Sequence, residues 1–234
     1  MATLAVVGAG PGLGRAIAQR FGVEGFDVAL LARAPERLDA LAADLGALGL
    51  TARAYPADVT DRRALVATLR RIEAELGSVD VLVFNPAHRL PAVSIDQVAP
   101  EDVLRELEQK VLGAVAAVGA VLPGMRARGR GSLLFTVGSS AVYPVPGIGA
   151  VGIAAAGLRS YVLSLRQSLA AEGITVGLAV IDLFIRSGGG EADPAFIAER
   201  IHRLHLEGDT PEVRIGNLRD PASSASSTPS APCS

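Results

Sequence analysis

Gly8, Gly12 and Gly14 follow an apolar run at 4–7 and open a helical pattern, with the spacing G-x-x-x-G-x-G. A strand, a turn without obstructing Cβ atoms and a helix N-terminus with unpaired N–H groups together make an anion site. Glycine also lets the backbone come close to the ligand. The spacing excludes two other phosphate loops. The G-x-G-x-x-G fingerprint needs glycine or alanine where Leu13 stands, and a P-loop needs a following Gly-Lys-Ser/Thr that is absent. Flavin binding through Gly8-Ala9-Gly10-Pro11 is a weaker alternative, because the third glycine of that fingerprint is absent. Cofactor choice is read about 20 residues further on, where an acid at the tip of the second strand would hydrogen-bond the ribose 2′-hydroxyl of NAD. The tip here is Leu30-Leu31-Ala32-Arg33, with no acid. The planar fork of Arg33 suits a 2′-phosphate, which predicts NADP(H) in preference to NAD(H).

The elements that must hold this loop follow from the apolar pattern. Short β-rich runs at 4–7, 27–31, 51–55, 79–84, 132–137, 175–181 and 213–216 alternate with helical segments near 13–24, 35–48, 61–77, 100–122, 150–172 and 194–207. The strands read as continuous Val/Leu/Ile runs, as when helices cover both faces of a parallel sheet. This predicts an α/β fold, a doubly wound parallel sheet with right-handed crossovers. In the fourth long helix, Leu104, Leu107, Val111, Val115, Val118 and Leu122 recur at helical spacing, which predicts a core stripe with Lys110 at its edge.

Composition narrows the function. The chain has 234 residues, 22 basic against 24 acidic, and half its residues are hydrophobic, enough for one domain with a substantial core. A net charge of −2 gives no basic stripe, which argues against nucleic acid and an anionic membrane surface as partners. One cysteine, Cys233, excludes a disulfide framework and a multi-cysteine metal cluster. His202 and His205, three apart, read as helix surface, and no metal site is expected. The uncharged stretch 131–158 holds Pro144, Pro146 and six glycines, so it reads as strand, loop and helix start instead of a membrane span. The residues before Arg15 form a strand and glycine loop, unlike a signal sequence, and a soluble cytoplasmic protein is expected. Residues 1–219 read as a single domain, and the Pro/Ala/Ser-rich 220–234 as a disordered tail containing Cys233.

With G-x-x-x-G-x-G, Arg33 and the later Asp58-Val59, the chain resembles the short-chain dehydrogenases/reductases over about residues 3–216. The resemblance implies seven parallel strands in the order 3-2-1-4-5-6-7, with Asp58 and Val59 against the adenine. The family's Asn-Asn-Ala-Gly after strand four is partly matched by Phe84-Asn85-Pro86-Ala87, which retains Asn85. Gly8, Gly12, Leu13, Gly14, Arg33, Asp58, Val59 and Asn85 are thus the expected cofactor residues. Family members associate through the helices mapped here to 100–122 and 150–172. The second carries Gly152, Ala154, Ala155, Ala156 and Gly157, so a homodimer or homotetramer is expected.

The family's chemistry uses Ser, Tyr and Lys, the last two as Tyr-x-x-x-Lys, plus an Asn on the fourth helix. Lys110 is the only lysine in this chain, and Glu106 stands four residues before it. Matching the Pro146-Gly147 loop and the Ala155–Leu158 stretch onto the family pattern puts Val151 at the tyrosine position and Ala155 at the lysine position. Lys110 falls at the helix Asn position and Ser139 or Ser140 in the serine region; Asp182-Leu183 replaces the usual Pro-Gly after strand six. General acid catalysis typically contributes ~10²–10⁴-fold in rate, and neither valine nor alanine transfers a proton. Ser140, Tyr143 and Lys110, with His88 after the Asn85 turn, are the substitutes the sequence offers. Two functions follow from different classes. One is an NADP(H)-dependent oxidoreductase acting on a carbonyl or alcohol with atypical catalytic residues. The other is an NADP(H)-binding regulator, partner subunit or nonredox scaffold. Leu183, Phe184 and Ile185, before a short glycine-rich stretch, point to a small-molecule substrate with apolar character.

Overall fold

The computed structural model describes residues 1–86 and 93–216. His88 and the tail at 220–234 lie outside the described residues. Seven strands, β1 (Thr3–Val7), β2 (Asp27–Ala32), β3 (Ala52–Pro56), β4 (Val79–Phe84), β5 (Gly131–Gly138), β6 (Ile174–Ile181) and β7 (Glu212–Ile215), form one sheet. All pair in parallel in the order β3-β2-β1-β4-β5-β6-β7. Helices α1 (Leu13–Gly22), α2 (Pro35–Ala47) and α7 (Pro194–Glu207) cover one face. The other face carries α3 (Arg62–Leu76), α5 (Gly113–Arg128) and α6 (Gly149–Leu169), with α4 (Pro100–Leu107) packed on α6. Strand side chains alternate between two cores: Val6, Leu30 and Val83 pack on α1 and α2, while Val7, Leu82 and Phe135 pack under α3, α5 and α6.

Local chemistry sets the helix starts. The Asp61 carboxylate accepts the Ala64 N–H at 3.0 Å and Asp193 accepts that of Ala195 at 2.9 Å. Pro100 opens α4, and Asp102 accepts the Ala99 N–H at 3.2 Å. The expected helix at 100–122 runs on to Arg128: α4 and α5 are continuous through a π-helical turn at Glu108–Leu112. It passes Pro123 and stops only at Gly129, whose φ of +62° turns the chain back. Pro100–Arg128 and Pro146–Leu169 are long and apolar enough to cross a membrane by length and composition alone. Both lay a buried face on the sheet.

Two expectations are corrected here. The buried residues of this long helix are Glu106, Gly113, Ala114, Ala117, Val118, Val121 and Met125; of the expected stripe Val118 is buried and Val111 and Leu122 pack against the core, whereas Leu104 and Val115 are exposed. Gly113, Ala114 and Ala117 let the helix axis come close to the sheet, and Leu104 and Val115 are left on the outer flank. Likewise His202 is only 2% exposed. On α7 it shares the inward face with Ile197, Ala198 and Ile201, and its ring meets Phe21 edge-on at 4.8 Å. His205 sits beside it, with Nδ1 2.7 Å from the Ser132 hydroxyl. Neither is helix surface, though among the described residues no metal-binding cluster forms.

Burial holds both imidazoles below the ordinary histidine range, aided at His202 by the nearby Arg20 charge and at His205 by His202. The unfolded chain therefore binds protons more readily than the native one, and stability rises with pH through this window. Denaturation midpoints should be level above the unfolded histidine pKa of about 6.5 and fall below it. His202→Phe should flatten that fall between pH 7 and 5.5; an unchanged pH slope in that variant would remove His202 from the account.

Candidate cofactor and catalytic site

β1 ends under the glycine loop, and the loop is built as its spacing requires. The Gly8 and Ala9 N–H groups both donate to the Leu31 carbonyl, at 2.8 and 2.9 Å, locking the loop onto β2. Gly8 has φ +91°, and a Cβ there would lie 2.2 Å from the Asn85 carbonyl oxygen. Gly14 is equally crowded, with a Cβ 2.8 Å from the Ala9 Cα. These two glycines serve the close approach of backbone to backbone. Gly10 and Gly12 differ: a Cβ on either would meet nothing within 4 Å. They face open space, the surface a ligand would occupy. Beside them, α1 starts at Leu13 with no side-chain cap, and among the described residues the Leu13 and Gly14 N–H groups have no acceptor. A cleft of about 300 Å³ adjoins this turn, lined by Pro11, Gly12, Arg15, Gln19, Ser187 and Asp193. Its far side is the glycine-rich loop after β6, pinned where Asp193 accepts the Gly188 and Gly189 N–H groups at 3.2 and 2.9 Å. The backbone N–H of Ala195, followed by those of Gly189 and Gly188, holds the Asp193 carboxyl below the usual carboxylate range.

Asn85 ties three strand ends together. Its backbone N–H donates to the Val7 carbonyl at 2.8 Å and its amide nitrogen to the Gly8 carbonyl at 3.4 Å, while its amide oxygen accepts the Thr136 hydroxyl at 2.7 Å. Arg33, at the tip of β2, is exposed and, among the described residues, makes no ion pair. The Asp58 carboxylate accepts the Thr60 N–H and hydroxyl at 2.9 and 2.8 Å, which folds the turn after β3. Val59 packs behind it, its carbonyl 3.1 Å from the place a Gly113 Cβ would take.

The sequence candidates for chemistry sit on two segments, both packed on α6. Ser140 lies in a short helical turn after β5, is 8% exposed, and sits against Gly152 in the first turn of α6. Tyr143 follows in the same loop, its N–H bonded to the Ser139 carbonyl at 2.8 Å. Its hydroxyl accepts a hydrogen bond from Arg214 of β7, whose guanidinium also lies 5.2 Å from the ring centre. Lys110 lies in the π turn, on the segment whose Leu107 and Val111 meet Gly157 of α6, with its ammonium 2.7 Å from a Glu106 carboxylate oxygen. Among the described residues Lys110 makes no hydrogen bond to Ser140 or Tyr143. Val151 and Ala155 are buried on the inner side of α6. The small residues of that helix are used within the chain too: Gly157 admits Val111 and Leu107 of the neighbouring helix.

Three residues of this region escape sequence reasoning as site members. Asp182, at the end of β6, is 6% exposed, and one carboxylate oxygen has no hydrogen-bond partner among the described residues. It follows Leu178 and Val180 in alternation, so it faces the layer of α5 and α6. Glu106 is a buried carboxylate that sequence shows only as an i,i+4 partner of Lys110. Arg214 reaches Tyr143 across 71 positions of sequence.

The family model for short chain dehydrogenases matches residues 2–182. An NADP-dependent 3-hydroxy acid dehydrogenase of Salmonella typhi is 32% identical over 171 residues, 73% of this chain and 68% of that protein. A serine 3-dehydrogenase of Rhizobium radiobacter is 30% identical over 195 residues, 81% of this chain and 77% of that one. Among solved structures, a short-chain dehydrogenase from Rhodopseudomonas palustris superposes with a TM-score of 0.82 at 26% identity, covering 92% of this chain and 98% of that one.

Proposed function

The chain belongs to the short-chain dehydrogenase/reductase family, and from that premise we propose that it is an NADP(H)-dependent oxidoreductase acting on a carbonyl or alcohol of a small molecule. The observation that carries this reading is the open face of the glycine loop: two glycines bordering free space beside unpaired N–H groups at the start of α1. A dinucleotide held there would supply or take up the hydride. The chain's own residues do the rest. The Leu13 and Gly14 N–H groups would receive the pyrophosphate, and Arg33 the 2′-phosphate. Asp58 and Val59 would border the adenine, and Asn85 keeps the loop in shape. At the other end the Ser140 hydroxyl would orient the substrate oxygen, and Lys110 would hold the proton exchanged with it. Tyr143, held by Arg214, walls the same end and is a second proton source. The unpartnered oxygen of Asp182 fits an N–H or O–H donor of the bound ligand.

The NADP-dependent relative supports the choice of NADP(H). Arg33→Ala should weaken NADPH binding roughly 10–100-fold, since a charge-assisted hydrogen bond contributes about 1.5–3 kcal/mol, and leave NADH almost unchanged. Equal losses for the two would defeat the 2′-phosphate assignment. Substrates of the hydroxy-acid class are suggested by the relatives that act on 3-hydroxy acids and serine. Phe184 and Ile185, exposed beyond β6, would add an apolar wall. The outward apolar residues Leu104, Leu112 and Val115 favour association into a homodimer or homotetramer.

A second reading, NADP(H) binding without turnover, is favoured by the buried apolar Val151 and Ala155. The two readings part on one assay. Purified protein is titrated with NADPH and then offered 3-hydroxy acids, apolar secondary alcohols and their ketones. Turnover of any of these supports the oxidoreductase; binding with no turnover across the panel supports the second reading; no binding of either nucleotide ends both.

A further inference from the structure

We propose that Glu106 is a positioning residue, whose buried carboxylate anchors the ammonium of Lys110 at the reactive end of the cofactor crevice. The inference rests on the oxidoreductase reading above and gives its proton donor a holder. Lys110 is the only lysine of the chain, and its side chain is 13% exposed against 2% for Glu106. The 2.7 Å pair lies in the inward stripe of the long helix, which continues through Gly113 and Ala114. A Gly113 Cβ would stand 3.3 Å from the ring of Phe84, the last residue of β4. Strands run toward the crevice and α5 runs back from it. Residues before Gly113 therefore project past the sheet, Lys110 by roughly 4 Å and Glu106 by roughly 10 Å at 1.5 Å per residue. Leu107 and Val111 face Gly157, so the same segment is seated against α6, on the helix that bears Val151 and Ala155.

Stability does not account for such a pair. Taking both charges out of water costs about as much as their attraction returns, and apolar residues of similar size would serve the fold as well or better. The π-helical turn points the same way: it widens the helix at Lys110, and turns of this type are rare and concentrate at functional sites. In the reducing direction a C–H bond of NADPH would break to give its hydride to the carbonyl carbon, leaving NADP+, while a Lys110 N–H bond breaks and an O–H bond forms on the substrate oxygen. The neutral amine left behind regains a proton from water on its exposed side.

The single lysine makes the test direct. Protein grown with ¹⁵N-lysine carries one side-chain ammonium, and an ion pair away from water slows its proton exchange enough to give one ¹H–¹⁵N cross-peak. That peak should be present in the full chain and lost in Glu106→Gln. On a substrate found by the panel, Glu106→Gln should lower kcat about tenfold or more with the KM for NADPH little changed, and Lys110→Met should lower kcat ~100-fold or more. The double variant Glu106→Leu with Lys110→Leu should fold, bind NADPH and not turn over, which separates chemistry from folding. A cross-peak unmoved in Glu106→Gln, or wild-type kcat in that variant beside a dead Lys110→Met, overturns the role of Glu106 and leaves the oxidoreductase reading standing. Wild-type turnover in Lys110→Met overturns Lys110 as donor and the inference with it.

Discussion

Gly12→Ala and Gly12→Val should lose NADPH in order of side-chain size while unfolding close to the wild-type temperature. A Cβ at position 12 meets no protein atom within 4 Å, so the protein has no stake in the space it would fill. The ligand does. The added carbons would stand beside the Leu13 and Gly14 N–H groups and keep a phosphate from reaching them. Two charge-assisted hydrogen bonds at about 1.5–3 kcal/mol each make a loss of ~100-fold or more for valine, each tenfold being about 1.4 kcal/mol. Calorimetric titration reads the affinity, and a thermal melt, expected within about 3 °C of wild type, reads the fold. NADPH binding undiminished in Gly12→Val would place the pyrophosphate elsewhere.

Gly8→Ala should do the opposite and strike the fold first. Its methyl group would be driven to 2.2 Å from the Asn85 carbonyl oxygen and 2.6 Å from the Pro86 nitrogen, both backbone atoms with no rotamer to yield. The φ of +91° adds a cost of about 1–2 kcal/mol for any residue with a side chain. A total near 3 kcal/mol or more corresponds to a fall in Tm of about 10 °C for a domain of this size. Addition of NADPH should recover only part of it. A wild-type melt for Gly8→Ala would mean that the junction of β1, β2 and β4 is looser than its hydrogen bonds indicate.

These two glycines, four residues apart, show what sequence conveys and what it does not. Their spacing identifies the loop, and the alternation of Val/Leu/Ile runs with helical segments yields the seven-stranded parallel order, because both rest on local pattern and chain connectivity. Which glycine touches protein and which touches ligand depends on Asn85, 77 positions from Gly8, and no local pattern carries that. The inward stripe of the long helix was hidden for a related reason. Hydrophobicity marks Leu104 and Val115, whereas close approach to the sheet selects Gly113, Ala114 and Ala117. Glu106 and Lys110 have the i,i+4 spacing of an ordinary solvated pair, and only the packing of this segment against α6 accompanies their burial. His202 is polar by type yet buried by the fit of α1 against α7. Tyr143 is legible as a loop residue beyond β5, but its partner Arg214 belongs to the last strand.

The Asn85 side chain gives with one end and takes with the other: its nitrogen reaches the Gly8 carbonyl and its oxygen receives the Thr136 hydroxyl. Aspartate has the same outline but only lone pairs to offer, so it would set oxygen against oxygen at Gly8; leucine would answer neither neighbour. The knot between the first, fourth and fifth strands thus demands a carboxamide in one orientation, and a single amide rotamer keeps the two ends of the crevice in step.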